Sequence, residues 1–350
     1  MYKDLIFVKY GNNPTEMIGE LLDRAEIEKE IPSKNALIGI KPNLVLAKPS
    51  ESGATTCPKL VETLVAYLKT RGYHNIVILE GSWVGDRTSR AFKVCGYEEI
   101  SQKYKVPLID LQEDEVESLV VEDTKIYICK KINSVDYMIN MPVLKGHCQT
   151  RITCALKNMK GCIPDKEKRR FHTMGLHKPI AYLSRIIKQD LIIVDGIIGD
   201  LNFEEGGNPV QMNRVILGKD PVLIDSYVAQ LLGYDIEDIP YIQMAEALGV
   251  GSSSLEDKNI IELNKDDSVT TLQKTRHIKD LEQYIQEDSA CSSCYASLIH
   301  ALDRLKDRGD LHRLREKVHI GQGYKGKKSG GMGVGICTKG FNKNLGGCPP

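Results

Sequence analysis

No apolar run in this chain reaches the roughly 18 residues that a membrane-spanning helix needs, so no span is expected. An excess of either charge is also missing: 47 Lys and Arg are balanced by 47 Asp and Glu. That balance gives no general attraction to nucleic acid, and no nucleic-acid partner is expected. The common nucleotide fingerprints are absent. There is no G-x-x-x-x-G-K-[ST] loop and no G-x-G-x-x-G after a strand, so neither ATP nor NAD use is expected. Gly321-Gln-Gly323-Tyr-Lys-Gly326 comes nearest, but it follows no βαβ pattern. A G-x-S-x-G elbow and a C-x2-C-x2-C-x3-C-P ferredoxin run are missing as well. The opening residues Met1-Tyr2-Lys3-Asp4-Leu5-Ile6-Phe7-Val8-Lys9 are too short and too charged for an export signal, and they read as a first strand. The expected setting is a reducing cytoplasm, where ten cysteines point to metal or thiol roles rather than disulfides.

Against those absences, four cysteines stand out. Cys291 and Cys294 form a C-x2-C pair, Cys337 follows after 42 residues, and Cys348 comes after 10 more, in Gly346-Gly347-Cys348-Pro349-Pro350. From Lys317 to Pro350 there are ten Gly, six Lys, one His and no Asp or Glu. Four thiolates around an iron–sulfur cluster leave a net negative unit. Backbone N–H groups and lysines compensate it, and glycine lets the backbone approach the sulfurs. One four-cysteine cluster is therefore expected, [4Fe–4S] or [2Fe–2S]. The first is preferred, because the last five residues look like the final-cysteine signature of cluster-binding small subunits of nickel–iron hydrogenases and of respiratory complex I. Zinc is the alternative, although zinc ribbons usually carry two short C-x2-C knuckles. A disulfide pair or unrelated free thiols are the remaining readings.

Apolar runs at 5–8, 36–40, 75–79, 106–111, 137–141, 191–194 and 214–217 read as strands. Helical periods fall at 14–29, at 58–69 (Leu60, Val61, Leu64, Val65, Leu68) and at 221–232. This alternation predicts an α/β fold, a mainly parallel sheet with helices on both faces, plus a small C-terminal cysteine-rich metal-binding region. A boundary is expected within 251–267, where Asp266-Asp267-Ser268 and Thr270-Thr271 lead into a more polar stretch. The expected division is 1–255 for the α/β domain and 256–350 for a helical, Gly/Lys/Cys-rich iron–sulfur region. Helix-like segments at 281–286 and 296–305 flank the C-x2-C pair, and the Gly/Lys tail is expected to be ordered by metal.

In parallel sheets, ligands gather at the carboxyl ends of the strands. Polar stations sit there at Lys41-Pro-Asn43, Glu80-Gly-Ser82, Asn140-Met-Pro142, Asp195-Gly196 and Gly218-Lys-Asp220. Each alone is an ordinary turn; five together suggest a site. Residues 140–178 add Lys145, His147, Lys157, Asn158, Lys160, Lys166, Lys168, Arg169, Arg170, His172, His177 and Lys178 against only Asp165 and Glu167. Such a surplus suits a carboxylate or phosphate ligand, and His147 or His172 suits acid–base work. Residues 166–170 also read as a solvated helix face. Cys148, Cys154 and Cys162 lack a fourth partner nearby; they read as buried thiols, a second cluster being conceivable. The single tryptophan, Trp83, lines the pocket or packs.

The chain resembles the domain-of-unknown-function family numbered 362, whose members are described only as uncharacterised or iron–sulfur proteins. The likeness runs over about 38–251. It is carried by Lys41-Pro42-Asn43-Leu44-Val45, Thr55-Thr56-Cys57-Pro58, Asp136-Tyr-Met-Ile-Asn140-Met-Pro142-Val-Leu-Lys145-Gly-His147 and Leu156-Lys157-Asn158-Met-Lys-Gly161. His172, Asp195-Gly196 and Gly218-Lys-Asp220-Pro221-Val-Leu-Ile-Asp225 complete it. Many members carry a module with two ferredoxin motifs; this chain has the spread cysteine set instead. The resemblance implies no established reaction. The expected catalytic residues are Lys145, His147, Lys157 and His172. The expected substrate-binding residues are Lys41, Asn43, Thr55, Thr56, Glu80, Asn140, Asn158, Asp195 and Asp225. The expected metal ligands are Cys291, Cys294, Cys337 and Cys348. The expected function is electron transfer from the cluster to a small anionic substrate or a redox partner protein, which makes an oxidoreductase. The alternatives are a non-redox proton-transfer enzyme with a structural metal, or an electron-delivery or assembly factor.

Overall fold

A computed structural model describes residues 2–264, 277–348 and 350. The expected polar stretch at Asp266-Asp267-Ser268 and Thr270-Thr271, and Pro349 of the terminal signature, lie outside the described residues. The chain opens with β1 (Ile6–Tyr10), α1 (Pro14–Ala25), β2 (Ile38–Pro42), α2 (Pro58–Thr70), β3 (Ile76–Glu80), α3 (Thr88–Val94), α4 (Tyr97–Tyr104) and β4 (Leu108–Asp110). A hairpin follows, β5 (Val116–Val121) and β6 (Thr124–Cys129), then β7 (Tyr137–Met141) and a second hairpin, β8 (Lys145–His147) and β9 (Arg151–Thr153). Next come α5 (Ala155–Asn158), α6 (Asp165–Thr173), α7 (His177–Ile186), β10 (Leu191–Asp200), β11 (Pro209–Gly218), α8 (Pro221–Leu231), α9 (Pro240–Ala247) and β12 (Ile260–Glu262). The C-terminal lobe holds α10 (His277–Glu282), β13 (Ile285–Glu287), α11 (Ser292–Asp307), β14 (Val318–Ile320), β15 (Ser329–Val334) and β16 (Phe341–Leu345).

The large sheet has eight strands in the order β12-β1-β11-β10-β7-β2-β3-β4. Only β11 runs against the others, pairing antiparallel with both β1 and β10. Side chains alternate between its two faces, as a pleated strand requires. Ile38, Ile40, Ile76, Ile78 and Ile139 pack under α1, α2, α3 and α4, whereas Val77, Leu79, Met138, Ile192 and Val194 pack under α5, α7, α8 and α9. Helices thus cover both faces, and the strands bury nearly every side chain. In α2 the buried residues are the five expected from the period.

In the C-terminal region the expected helix at 296–305 lies within α11. Residues 281–286 split between the end of α10 and the start of β13. The glycine–lysine tail supplies β14, β15 and β16 of a four-stranded parallel sheet, β13-β14-β15-β16, held by backbone hydrogen bonds. Near the expected 255/256 boundary, β12 still belongs to the large sheet through its pairing with β1. The lobe docks on the second hairpin and on the β10–β11 loop. Arg151 makes a two-pronged ion pair with Glu282, Gln149 donates to Glu287, and Phe203 stacks on His300 at 3.7 Å between ring centres.

Asp220 of the expected strand-end series is a helix cap. Its carboxylate accepts from Val222 and Leu223 at the start of α8, and from Ser252 beyond α9. Asp220→Ala is expected to cost about 1–2 kcal/mol of stability, the usual loss for a removed N-cap. Urea denaturation measures this.

Candidate functional site

Lys41, next to last in β2, places its ammonium 2.8 Å from the carboxylate of Glu80, the last residue of β3; the two side chains are 0% and 3% exposed. Lys41 also donates to the Pro42 carbonyl at 3.0 Å and to Asn158 Oδ1 at 3.4 Å. Backbone N–H groups of Leu44 and Gly81 hold the two oxygens of Glu80. Gly161 packs directly against this pair. A Cβ there would come within 2.1 Å of Glu80 Oε1 and 2.7 Å of Lys41 Nζ, so the close approach requires glycine.

Asn158, at the end of α5, joins the strand ends. Its Oδ1 accepts from Asn43 Nδ2 at 2.8 Å, and its Nδ2 donates to Asn140 Oδ1 at 2.7 Å. Asn140 donates onward to the Ala155 carbonyl and to Gln189. Asn43 Oδ1 accepts from Lys145 Nζ at 2.9 Å. Lys145 is fully buried, and its amine also donates to the carbonyls of Ala54 and Glu204. Burial pulls its pKa down to about 7, against the opposing pull of nearby Glu204.

The β10–β11 loop brings in Glu204. Lys157 ion-pairs with its Oε2. His147 Nε2 lies 3.1 Å from Oε1, but off the line of a hydrogen bond. His147 Nδ1 accepts from the N–H groups of Gln149 and Thr150, so the neutral ring carries its proton on Nε2, toward Glu204. Burial drives His147 down to about 4. For Glu204, burial pushes upward, but His147 and Lys157 outweigh it and hold the carboxyl well below its usual range. At neutral pH the site thus holds a carboxylate on Glu204 and a neutral imidazole on His147 beside the Lys157 side chain.

Above these groups opens a cleft of about 1000 Å³, its mouth included. Of the expected site residues, Asn43, Glu80, Lys157, Asn158 and His172 reach its wall, whereas Lys41, Asn140, Lys145 and His147 stand buried behind it. The other four are engaged in backbone contacts. Thr55 donates to the Lys48 carbonyl and Thr56 to that of Met141. Asp195 accepts from Cys57 at the start of α2, and Asp225 from Ala155 at the start of α5. Burial raises these carboxyls to about 6 and about 7. The four shape the site without lining the cleft.

The wall contains residues that sequence reasoning did not select as site residues. Lys160 has no hydrogen-bond or ion-pair partner among the described residues, and burial followed by the charge of Lys157 pulls its pKa down to about 7. Lys168 does not belong to the expected solvated helix face. It is buried, donating to the carbonyls of Gly81 and Ser82 and lying 3.0 Å from Asp165. Arg169 is exposed and borders the cleft, as does Trp83. His172 is buried with Nδ1 unpartnered among the described residues; burial and then the charge of Lys160 hold it well below the usual histidine range. The signal for Lys160 and Lys168 was their place in the cation-rich stretch. Glu204 gave none beyond following a strand.

Cys291 caps α11 and Cys294 lies in its first turn; Cys337 sits between β15 and β16, and Cys348 follows β16. All four line one recess of about 300 Å³, with the backbones of Gly321, Gly335 and Gly347. Cys291, Cys294 and Cys348 also line the cleft. Burial, then the neighbouring sulfurs, push Cys294 up to about 12, and Cys291 and Cys337 are raised by burial first as well. All ten cysteines are free. Cys148, Cys154 and Cys162 are buried thiols whose pKa burial raises. Among the described residues, no group of three or more His, Cys, Asp or Glu side chains is arranged to hold a single metal ion as it stands.

Fold and site together define a mixed α/β protein whose mostly parallel sheet carries a polar cleft at its strand ends. The chain belongs to the family described as a domain of unknown function (DUF362), which matches residues 38–230. The match stops short of residue 251, so the four clustered cysteines lie outside it. The thylakoid-associated protein sll1697 of Synechocystis sp. is 24% identical over 231 residues, 62% of this chain and 69% of its own length. The lactate racemase apoprotein from Thermoanaerobacterium thermosaccharolyticum is a distant structural neighbour, with a TM-score of 0.40 and 12% identity over 55% of this chain. The chain covers 52% of that structure's length. No helix among the described residues is long and apolar enough to cross a membrane.

Glu80→Gln leaves the buried Lys41 ammonium without its carboxylate. The expected loss is about 3–5 kcal/mol by urea denaturation, with a Lys41→Met/Glu80→Met double variant losing less than the sum of the single changes.

His172 predicts a pH effect. Its folded pKa lies below the unfolded value of about 6.5, so between the two the unfolded chain binds the extra proton and stability falls as pH falls. Relative to His172→Gln, the natural chain should lose about 1.4 kcal/mol per pH unit below about 6.5, as read by denaturation at several pH values.

Proposed function

We propose that this protein is an iron–sulfur redox protein acting on a small anionic molecule held in the cleft. One observation carries the reading: Cys291, Cys294 and Cys348 form wall of both the cysteine recess and the cleft. Cys337 completes a four-sulfur donor set, and the recess offers more room than a single ion needs. The raised thiols bear on the same point. Sulfurs gathered this closely resist ionising together unless a positive centre lies between them. These residues fit a [4Fe–4S] cluster, which supplies single electrons when bound. A reducing cytoplasm, which keeps such thiols free, is the setting the reading assumes.

The chain's own residues account for the anionic ligand. Lys160 and Arg169 border the cleft free of ion pairs among the described residues, beside Lys157 and Lys168, which are held by Glu204 and Asp165. Unpaired cations at a partly desolvated wall attract a carboxylate or phosphate. Lys160, poised near neutrality, can hold or pass a proton at Nζ, and neutral His172 offers a second proton site. The Lys41–Glu80 and Lys145–Asn43 contacts fix the wall from behind.

Anaerobically purified protein should be brown, bleach with dithionite and contain about four iron and four acid-labile sulfide per chain, with an EPR signal on reduction. Cys348→Ser should lose most of that iron while its circular dichroism stays native. Stoichiometric zinc in colourless protein, or full iron retention after loss of Cys348, would end the reading.

A further inference from the structure

We infer that the lysine-rich face of the C-terminal lobe docks an acidic single-electron carrier protein; the inference rests on the iron–sulfur reading above. The cysteine recess has two sides. Inward, three of its cysteines share a wall with the cleft. Outward, it is closed by the turn Ile336–Thr338 and by the chain after β16. Gly335 and Ile336 donate their N–H groups to the carbonyls of Leu345 and Gly347, which sets Ile336 and Leu345 on neighbouring backbone segments. These two apolar side chains are 55% and 56% exposed.

Lys339 lies three residues beyond Ile336, and Lys343 lies two residues before Leu345 on the same face of β16. Lys325, Lys328, Lys339 and Lys343 are exposed and have no ion-pair partner among the described residues, while Lys327 reaches Asp288 at 3.5 Å. Lys325 lies near enough to Cys291 and Cys337 to act on both thiols electrostatically. No Asp or Glu occurs from residue 317 to the end.

A simpler role for these lysines is to protect β16, the edge strand of the small sheet, from pairing with other chains. That role accounts for Lys343 on the strand. It does not account for Lys325 or Lys339 outside it, or for the two exposed apolar residues Ile336 and Leu345. Exposed apolar side chains flanked by unpaired lysines are the form of a transient, electrostatically steered interface. Its charge selects an acidic partner, and its position over the cysteines selects one that exchanges electrons. Each encounter passes one electron, the carrier being oxidised and the cysteine-held group reduced, with no bond made or broken.

The test uses the full chain under anaerobic conditions, titrated by calorimetry with a small acidic [2Fe–2S] ferredoxin, and with iron measured in every preparation. Binding should weaken as salt rises. Lys339→Glu/Lys343→Glu and, separately, Ile336→Asp should each raise Kd by roughly tenfold or more, with native circular dichroism. Arg24→Glu/Lys93→Glu, on exposed sites at the ends of α1 and α3, should leave Kd unchanged. Absence of ferredoxin binding by iron-replete protein overturns the docking assignment while the cofactor reading stands. Equal weakening by the control pair also overturns it. So does capture by anionic phospholipid vesicles, lost in the same variants, in place of ferredoxin. Colourless, iron-free protein that still binds ferredoxin through these residues upholds the surface and overturns the cofactor reading.

Discussion

Charged groups buried at the carboxyl ends of parallel strands are the constraint on which the rest of the structure depends. Lys41, Lys145 and Lys157 are withdrawn from water within one network. Moving an ammonium ion out of water costs several kcal/mol unless its protons find acceptors. Lys41 finds a carboxylate, Lys145 three oxygens and Lys157 a carboxylate. The acceptors come from three pieces of chain, the end of β3, the loop after β2 and the loop between β10 and β11, and Glu204 of the last serves both Lys145 and Lys157. The network therefore binds these segments together far more strictly than apolar packing alone would.

That requirement explains several motifs at once. Gly161 is glycine because the Lys41–Glu80 pair occupies the space a side chain would take. Asn43, Asn140 and Asn158 are amides because each must donate on one side and accept on the other. Asp195 and Asp225 hold the first N–H groups of α2 and α5, so those helices begin where the network needs them. Residues that look like ligand contacts in a sequence can thus be the means by which the contacts are aimed.

Legibility followed from physics as well. Strands buried on both faces announce themselves as short apolar runs, and β7 falls on its expected residues 137–141. The period of α2 was equally clear, because one face is wholly buried. The two hairpins and the small sheet were not foreseen. Their strands are short or half exposed, and β15, Ser-Gly-Gly-Met-Gly-Val, has none of the apolar alternation that marks a strand. Of the strand-end stations, Lys41, Asn43, Glu80 and Asn140 come together in one network, whereas Asp195 and Asp220 hold the starts of α2 and α8. Glu204 escaped because its role depends on a loop folding back over a hairpin, and Lys168 escaped because a basic run on a short helix usually faces water.

The lobe that carries the cysteines touches the cleft through these same folded-back segments. Gln149 and Arg151, in the hairpin that presents Lys145 and His147, contact Glu287 and Glu282; Phe203, beside Glu204, lies under His300. Ser292, between the paired cysteines, donates to Gln149. A shift of α11 cannot be absorbed by the lobe alone, because its partners sit one or two residues from His147 and Glu204. A close-packed interior passes such a displacement on rather than damping it. Where α11 begins therefore also fixes where the Glu204 carboxylate meets Lys157, and the position of the cysteines and the charge arrangement of the cleft are set by one set of contacts.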